Sequence, residues 1–369
     1  MKTETLAIHA GNTVTDTLKP VIQPITLSTT FEHQDDSMLY GRLDNPNRKS
    51  LENVMAALEK GRDAAAFSSG NAAANAVFQA LPAGAHVIAP DDMYHGLRAL
   101  LETAFADRIR VDFVDMTQPE KVLDAINPAT RLLWIESPSN PLLKISAINT
   151  LCDLAHENNV PVVCDNTFAS PIFQQPLLEG ADLVMHSNTK YIGGHSDIIG
   201  GILITGKNND FWKKIRSIQQ LAGAVPSPFD TYFLTRSIKT LPYRMKGHAT
   251  NAGQVARFLN QHPAVAQVYY PGLETHPGHT IARRQMQGYG GMLSVVIKGN
   301  ARDADRFIEK LTYFSNATSL GGVESLIERR SRVQGVTTGI PEQLIRISVG
   351  LENPDDLLED LDKGLQALR

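Results

Sequence analysis

The sequence predicts an α/β fold: a mostly parallel β-sheet in a large domain, with a smaller α+β domain at the C-terminus. Three observations carry this. From "SLENVMAALEKG" onward, helical patterns alternate with short apolar runs: "AHVIAP", "RVDFVD", "RLLWIES", "PVVCDN", "DLVMHS" and "GGILITG". Most intervals between runs leave room for a crossover helix, as in "GLRALLETAFAD" and "INTLCDLAHENN", which is how a parallel sheet covered on both faces is built. After about residue 240 the pattern changes, and a long helical stretch, "YRMKGHATNAGQVARFLNQH", leads into the apolar runs "GGMLSVVIKG" and "LIRISVG".

Taken in order, residues 1 to about 50 are polar, proline-bearing and weakly periodic, as in "KPVIQPITLSTTFEHQDD". They read as an extended N-terminal arm. Residues 51–240 hold the alternating pattern and form the large domain, and residues 241–369 form the α+β domain. The chain has 369 residues with 42% hydrophobic content, enough for a sizeable core and two domains. A formal net charge of −4 without any basic block argues against nucleic acid as a partner. The start, "MKTETLAIHAGNT", lacks a signal-peptide pattern. No apolar stretch approaches the roughly 20 residues of a membrane helix, so the expectation is a soluble, cytoplasmic protein. Two cysteines, Cys152 and Cys164, are too few for a disulfide framework. The eleven histidines are scattered, without the spacing of a metal site.

In open α/β sheets, ligands sit beyond the carboxyl ends of the strands. The polar residues that close the apolar runs are Glu136 and Ser137 after "LLWI", Asp165 and Asn166 after "VVC", and Ser187, Thr189 and Lys190 after "LVMH". An acid, hydroxyls and an amine thus converge on one rim. Lys190 could be a solvated loop lysine, but it lies in a short polar window between two apolar runs, ringed by glycines and hydroxyls. A phosphate-binding ATPase loop is excluded because "GxxxxGK[ST]" is absent. The set suits a Schiff base with pyridoxal 5'-phosphate, in which a lysine holds the cofactor and an aspartate pairs with its pyridinium nitrogen. Ser187 and Thr189 could donate to the cofactor phosphate. So could the helix N-terminus opened by Ser68, Ser69 and Gly70 in "FSSGNAAANAVFQAL", although ordinary capping explains that stretch equally.

Seven segments, "YGRLDNPNR", "FSSGNAAA", "IESPSNP", "CDNTFASP", "SNTKYIGGHSD", "SLGGVESLIE" and "IRISVGLENPDDLLEDL", occur in this order. Together they resemble the Cys/Met-metabolism pyridoxal-phosphate enzymes, the transsulfuration group, from about residue 6 to the C-terminus. The resemblance implies a fold type I architecture and a homotetramer built from two tight dimers with composite active sites. It implies that Lys190 carries the cofactor, that Asp165 pairs with the ring nitrogen, and that Tyr94 stacks on the ring and takes part in proton transfer. Ser69, Gly70 and Asn71 would line the phosphate, with hydroxyls from Ser187 and Thr189. Tyr40 and Arg42 would reach the phosphate of a neighbouring subunit. Arg346 would clamp the substrate α-carboxylate, assisted by Ser319 and Asn140; a salt bridge at a strand end is the plainer alternative for Arg346.

The implied chemistry is γ-elimination or γ-replacement on a sulfur or homoserine-derived amino acid, with cystathionine γ-lyase or γ-synthase activity foremost. An O-acylhomoserine sulfhydrylase, a methionine γ-lyase, a cystathionine β-lyase and a non-catalytic regulator that binds the cofactor are the alternatives. Departures from the group's pattern bear on this choice. Gly96 and Leu320 argue against methionine γ-lyase and cystathionine β-lyase, and Leu39 stands where many cystathionine enzymes have an acid. "LIERRSRVQGVTTG" replaces a segment the group usually writes differently. Its Arg329, Arg330 or Arg332 could receive a distal substrate carboxylate, or the segment could be a solvated loop.

Overall fold

The computed structural model describes residues 1–12, 19–33, 38–334 and 340–368. Seven strands form the larger sheet: β1 (Asp63–Phe67), β2 (Ala85–Pro90), β3 (Ile109–Val114), β4 (Thr130–Glu136), β5 (Val162–Asp165), β6 (Leu183–Ser187) and β7 (Gly201–Thr205). Their order across the sheet is β1-β7-β6-β5-β4-β2-β3. All neighbours run parallel except at β7, which is antiparallel to both β1 and β6.

Side chains alternate between the two faces of each strand, and here both faces are buried. Ala65, Phe67, Val163, Met185 and Leu203 pack with Val77 and Phe78 of the helix Gly70–Ala80 and with Trp212 and Ile215 of Asp210–Ala222. Ala64, Ala66, Val184, Ile202 and Ile204 face the other way, against Leu51, Met55 and Leu58 of the helix Pro46–Leu58 and Leu234 of Pro228–Ile238. Two buried faces explain why these strands read as continuous apolar runs rather than as alternating ones.

The second sheet contains β8 (Val265–Tyr269), β9 (Met292–Ile297), β10 (Ser315–Asn316), β11 (Leu326–Arg329) and β12 (Leu344–Ser348), in the order β10-β11-β12-β9-β8. It is antiparallel apart from β10 with β11. Leu293, Val295, Ile297, Ile345 and Ile347 bury one face against Val255 and Leu259 of the helix Leu241–Gln261 and Leu357 and Leu361 of Pro354–Gln366.

The N-terminal segment differs from a purely extended arm. Residues Thr3–His9 form a helix that buries Ala7, and Lys246 Nζ lies 2.9 Å from Glu4 Oε1. Seven residues cannot hold a helix by propensity; docking against Pro46–Leu58 and Leu241–Gln261 supplies the stability. Cys152 and Cys164 are buried free thiols. No helix among the described residues is long and apolar enough to cross a membrane.

Candidate active site

Parallel neighbours β4, β5 and β6 end at the same edge of the sheet, which brings Glu136, Asp165 and Ser187 together. Glu136 is register-paired with Asp165. Asp165 Oδ1 accepts the Thr167 amide at 3.0 Å, and Thr167 Oγ1 accepts the Ser187 amide at 2.9 Å. No cationic side chain is hydrogen-bonded to Asp165 among the described residues. Burial raises its carboxyl above the usual range, against the opposing pull of the Thr167 hydrogen bonds. Burial raises Glu136 well above its ordinary value too, and the Asp165 charge adds to it. Glu136 Oε2 accepts the Tyr94 amide at 2.9 Å, which anchors Tyr94 at the start of the helix His95–Glu102.

Lys190 follows β6 in a tight turn closed by Lys190 N to Ser187 O (3.1 Å) and Gly194 N to Lys190 O (2.7 Å). Its Nζ donates to Ser319 Oγ at 2.8 Å. Burial, then the nearby Arg346 charge, lowers the amine from 10.5 to about 8. Ser319 holds φ +121°, a region that costs a residue with a side chain about 1–3 kcal/mol. In that conformation its hydroxyl meets Lys190 while its carbonyl accepts Arg346 Nη2 at 3.0 Å. Gly321, two residues further on, has φ +77°, and a Cβ there would stand 2.7 Å from the Tyr191 amide nitrogen, so the turn requires glycine.

Arg346 lies on β12, buried, with Nη1 donating to Asn140 Oδ1 at 3.0 Å and Nη2 also donating to Glu328 Oε1. Burial lowers its guanidinium to about 10. At the other end, Ser69 Oγ caps the helix Gly70–Ala80 by accepting the Ala72 amide at 3.0 Å. The Gly70 and Asn71 amides have no acceptor among the described residues. A Cβ on Gly70 would crowd Ser187 Oγ at 3.1 Å.

A cavity of about 450 Å³ joins these groups. Lys190, Tyr94, Asp165, Ser69, Gly70, Asn71, Ser187, Thr189, Arg346, Ser319 and Asn140 all line it. The Thr189 hydroxyl is engaged by the Gly200 backbone, accepting its amide at 3.1 Å. Tyr40 and Arg42 are not brought to this cavity in the single chain. They line a separate recess with Arg48 and Gly223, and Arg42 Nη1 donates to Gln220 O. Leu39 is exposed. Among the polar residues that carried no assigned role in the sequence, Glu136, Thr167 and Thr318 line the cavity and Glu328 supports Arg346. The first was visible as a strand-end acid, and Glu328 as the acid opening "ERRSR".

Compared with known proteins, residues 4–366 match the model of a family described as Cys/Met metabolism PLP-dependent enzyme. The chain belongs to this family. Members similar to it include a cystathionine gamma-synthase of Mycobacterium tuberculosis, 46% identical over 98% of this chain and 96% of that protein. A cystathionine gamma-lyase of Dictyostelium discoideum is 43% identical over 99% and 97%. The crystal structure of metB from Corynebacterium glutamicum superposes with a TM-score of 0.97 at 40% identity, covering 100% of this chain and 99% of that one. This Cys/Met-metabolism enzyme therefore has the fold type I architecture, uses pyridoxal 5'-phosphate and acts on small amino-acid substrates.

Proposed function

We propose that this enzyme catalyses γ-replacement or γ-elimination on a homoserine-derived or sulfur amino acid, as a cystathionine γ-synthase or γ-lyase. The observation that carries the reading is the single cavity in which Lys190 meets Ser319 while Arg346 stands on the same serine. An amine able to move a proton and a guanidinium able to hold a carboxylate are thereby fixed to one backbone position.

The donor set fits pyridoxal phosphate. Lys190 would hold it; Asp165, buried without a cationic partner, would receive its ring nitrogen; Tyr94 would cover the ring. The free amides of Gly70 and Asn71, the Ser69 cap and the Ser187 and Thr189 hydroxyls would hold its phosphate, at a helix N-terminus suited to anions. When bound, the cofactor supplies an electron sink for a carbanion next to nitrogen. The protein's own residues do the rest. Arg346 has Nε and one Nη1 hydrogen, on opposite edges of its guanidinium, uncommitted among the described residues, and either can donate to the substrate α-carboxylate, while Asn140, Ser319 and Glu328 fix its plane. The depressed Lys190 amine carries protons near neutral pH, and Ser319 Oγ sets its direction. Glu136 holds the backbone of Tyr94 against the end of β4.

Tyr40 and Arg42 serve a second copy's phosphate in this reading. Their separation from the Lys190 cavity of their own chain supports composite sites, a tight dimer and, from two dimers, a homotetramer. We also divide the chain into an arm to residue 50, a cofactor domain at 51–240 and a C-terminal domain from 241, and place the enzyme in the cytoplasm. A substrate panel tests the activity: cystathionine, homocysteine, methionine, and O-succinyl- and O-acetylhomoserine with cysteine or sulfide. Turnover of none of them by cofactor-loaded protein would overturn the reading.

A further inference from the structure

The arginines of "ERRSR" part company in the fold. Arg329 turns to Asp305, with Nε and Nη2 at 2.8 and 3.0 Å from its carboxylate and Nη1 at 2.6 Å from Ser331 Oγ. Arg332 is exposed. Arg330, only 3% exposed, lines the Lys190 cavity. It sits just past β11, whose Glu328 is register-paired with Arg346 on β12. Arg330 Nη1 donates to Glu328 Oε1, the same oxygen that Arg346 Nη2 uses, and Glu328 Oε2 accepts the Thr318 hydroxyl at 2.9 Å. Arg330 Nε is buried with no acceptor, and none meets Nη2 among the described residues. Those two donors form one edge of the guanidinium fork, the geometry that takes a carboxylate bidentately.

Charge points the same way. Among the described residues Glu328 is the only carboxylate hydrogen-bonded to either guanidinium, so two buried positive charges share one negative charge. A buried cation left without a partner is costly. A plain amino-acid zwitterion brings no net charge to this cluster. One whose side chain ends in a carboxylate brings one negative charge and balances it. The donors suited to phosphate, on the helix Gly70–Ala80 and β6, belong to different elements from the β11–β12 end where Arg330 stands.

Building on the proposed function above, we infer that Arg330 is a second carboxylate-binding residue of the active site. It selects amino-acid substrates with an anionic carboxylate at the far end of the side chain, while Arg346 holds the α-carboxylate. The test compares O-succinyl- and O-acetylhomoserine, which differ in that terminal carboxylate, in the wild type, Arg330→Met, Arg330→Lys and the surface control Arg332→Met. The wild type favours the succinyl ester. In Arg330→Met the succinyl-to-acetyl ratio of kcat/KM falls about ten- to a hundred-fold, the worth of one charge-assisted contact. It falls less in Arg330→Lys and stays put in Arg332→Met. A ratio unmoved by Arg330→Met, including equal losses on both esters, overturns the inference, as does a wild type without preference or an equal effect from Arg332→Met.

Calorimetry of glutarate against butyrate on the holoenzyme gives a readout without turnover. Glutarate should bind the wild type more tightly, and the advantage should shrink in Arg330→Met or, if that variant folds poorly, in Arg330→Lys. Failure of the wild type to turn over either ester would count against γ-replacement on these esters and not against Arg330; an equal glutarate-to-butyrate ratio in wild type and variant would count against Arg330.

Discussion

Replacing Ser319 with alanine isolates one contact in this site. The hydroxyl is the acceptor for Lys190 Nζ at 2.8 Å, whereas the contact to Arg346 is made by the Ser319 carbonyl. Ser319→Ala therefore removes the first and leaves the second in place. Alanine and serine meet the same backbone restriction at φ +121°, so strain does not change between them. With a pKa of about 8 the amine is mostly protonated at pH 7, and a hydrogen bond to a charged group is worth about 1.5–3 kcal/mol. If that contact directs the amine during proton transfer, kcat should fall about ten- to a hundred-fold, with KM little changed because Arg346 still stands. Steady-state kcat and KM on the best substrate of the panel, with cofactor content checked by absorbance, decide it. A kcat within about threefold of the wild type, or a loss confined to KM, would refute the assignment of Ser319 to Lys190.

Further predictions follow from the same geometry. Burial, and then the Asp165 charge beside it, raise the Glu136 carboxyl well above its ordinary value and favour its neutral form, so Glu136→Gln should keep the Tyr94 amide contact and lower kcat/KM by less than about threefold, whereas Glu136→Ala should lose about tenfold or more. A large loss in Glu136→Gln would mean the carboxylate works ionised. In cofactor-free protein the Lys190 amine is protonated below its lowered pKa and free above it. Its reaction with trinitrobenzenesulfonate, followed by peptide mapping, should rise through an inflection near about 8, and an inflection at 10.5 would contradict the burial argument. Arg42→Ala should weaken cofactor retention, and mixing it with Lys190→Ala subunits should restore activity through one intact composite site; no recovery after verified subunit exchange would exclude cross-subunit sites.

Much of this site was legible in the sequence because strand-end chemistry is local. Glu136, Asp165 and Ser187 close apolar runs, and parallel pairing of β4, β5 and β6 must gather such ends at one edge. The strands that were not legible fail for physical reasons. β1 reads "DAAAF", with little β-propensity; its alanines are extended because β7 pairs with it and helices cover both faces. The β8 segment "VAQVY" leaves two residues exposed and has a register shift against β9, so it lacks a clean period. The helix Thr3–His9 is made by docking, which no local pattern encodes. "ERRSR" presented three arginines that spacing could not tell apart. The choice among them depends on Asp305, on the helix Ala301–Glu309, drawing Arg329 away, and on Glu328 facing Arg346 across the β11–β12 pair.

The central claim is that Lys190 holds pyridoxal phosphate within this cavity, and borohydride reduction of the purified holoenzyme followed by peptide mass spectrometry tests it most directly. The account predicts a yellow protein that reduction bleaches, with one pyridoxyl group on the peptide containing Lys190 and none in Lys190→Ala. A protein that cannot be loaded with pyridoxal phosphate, or a label fixed on a different lysine, would contradict it.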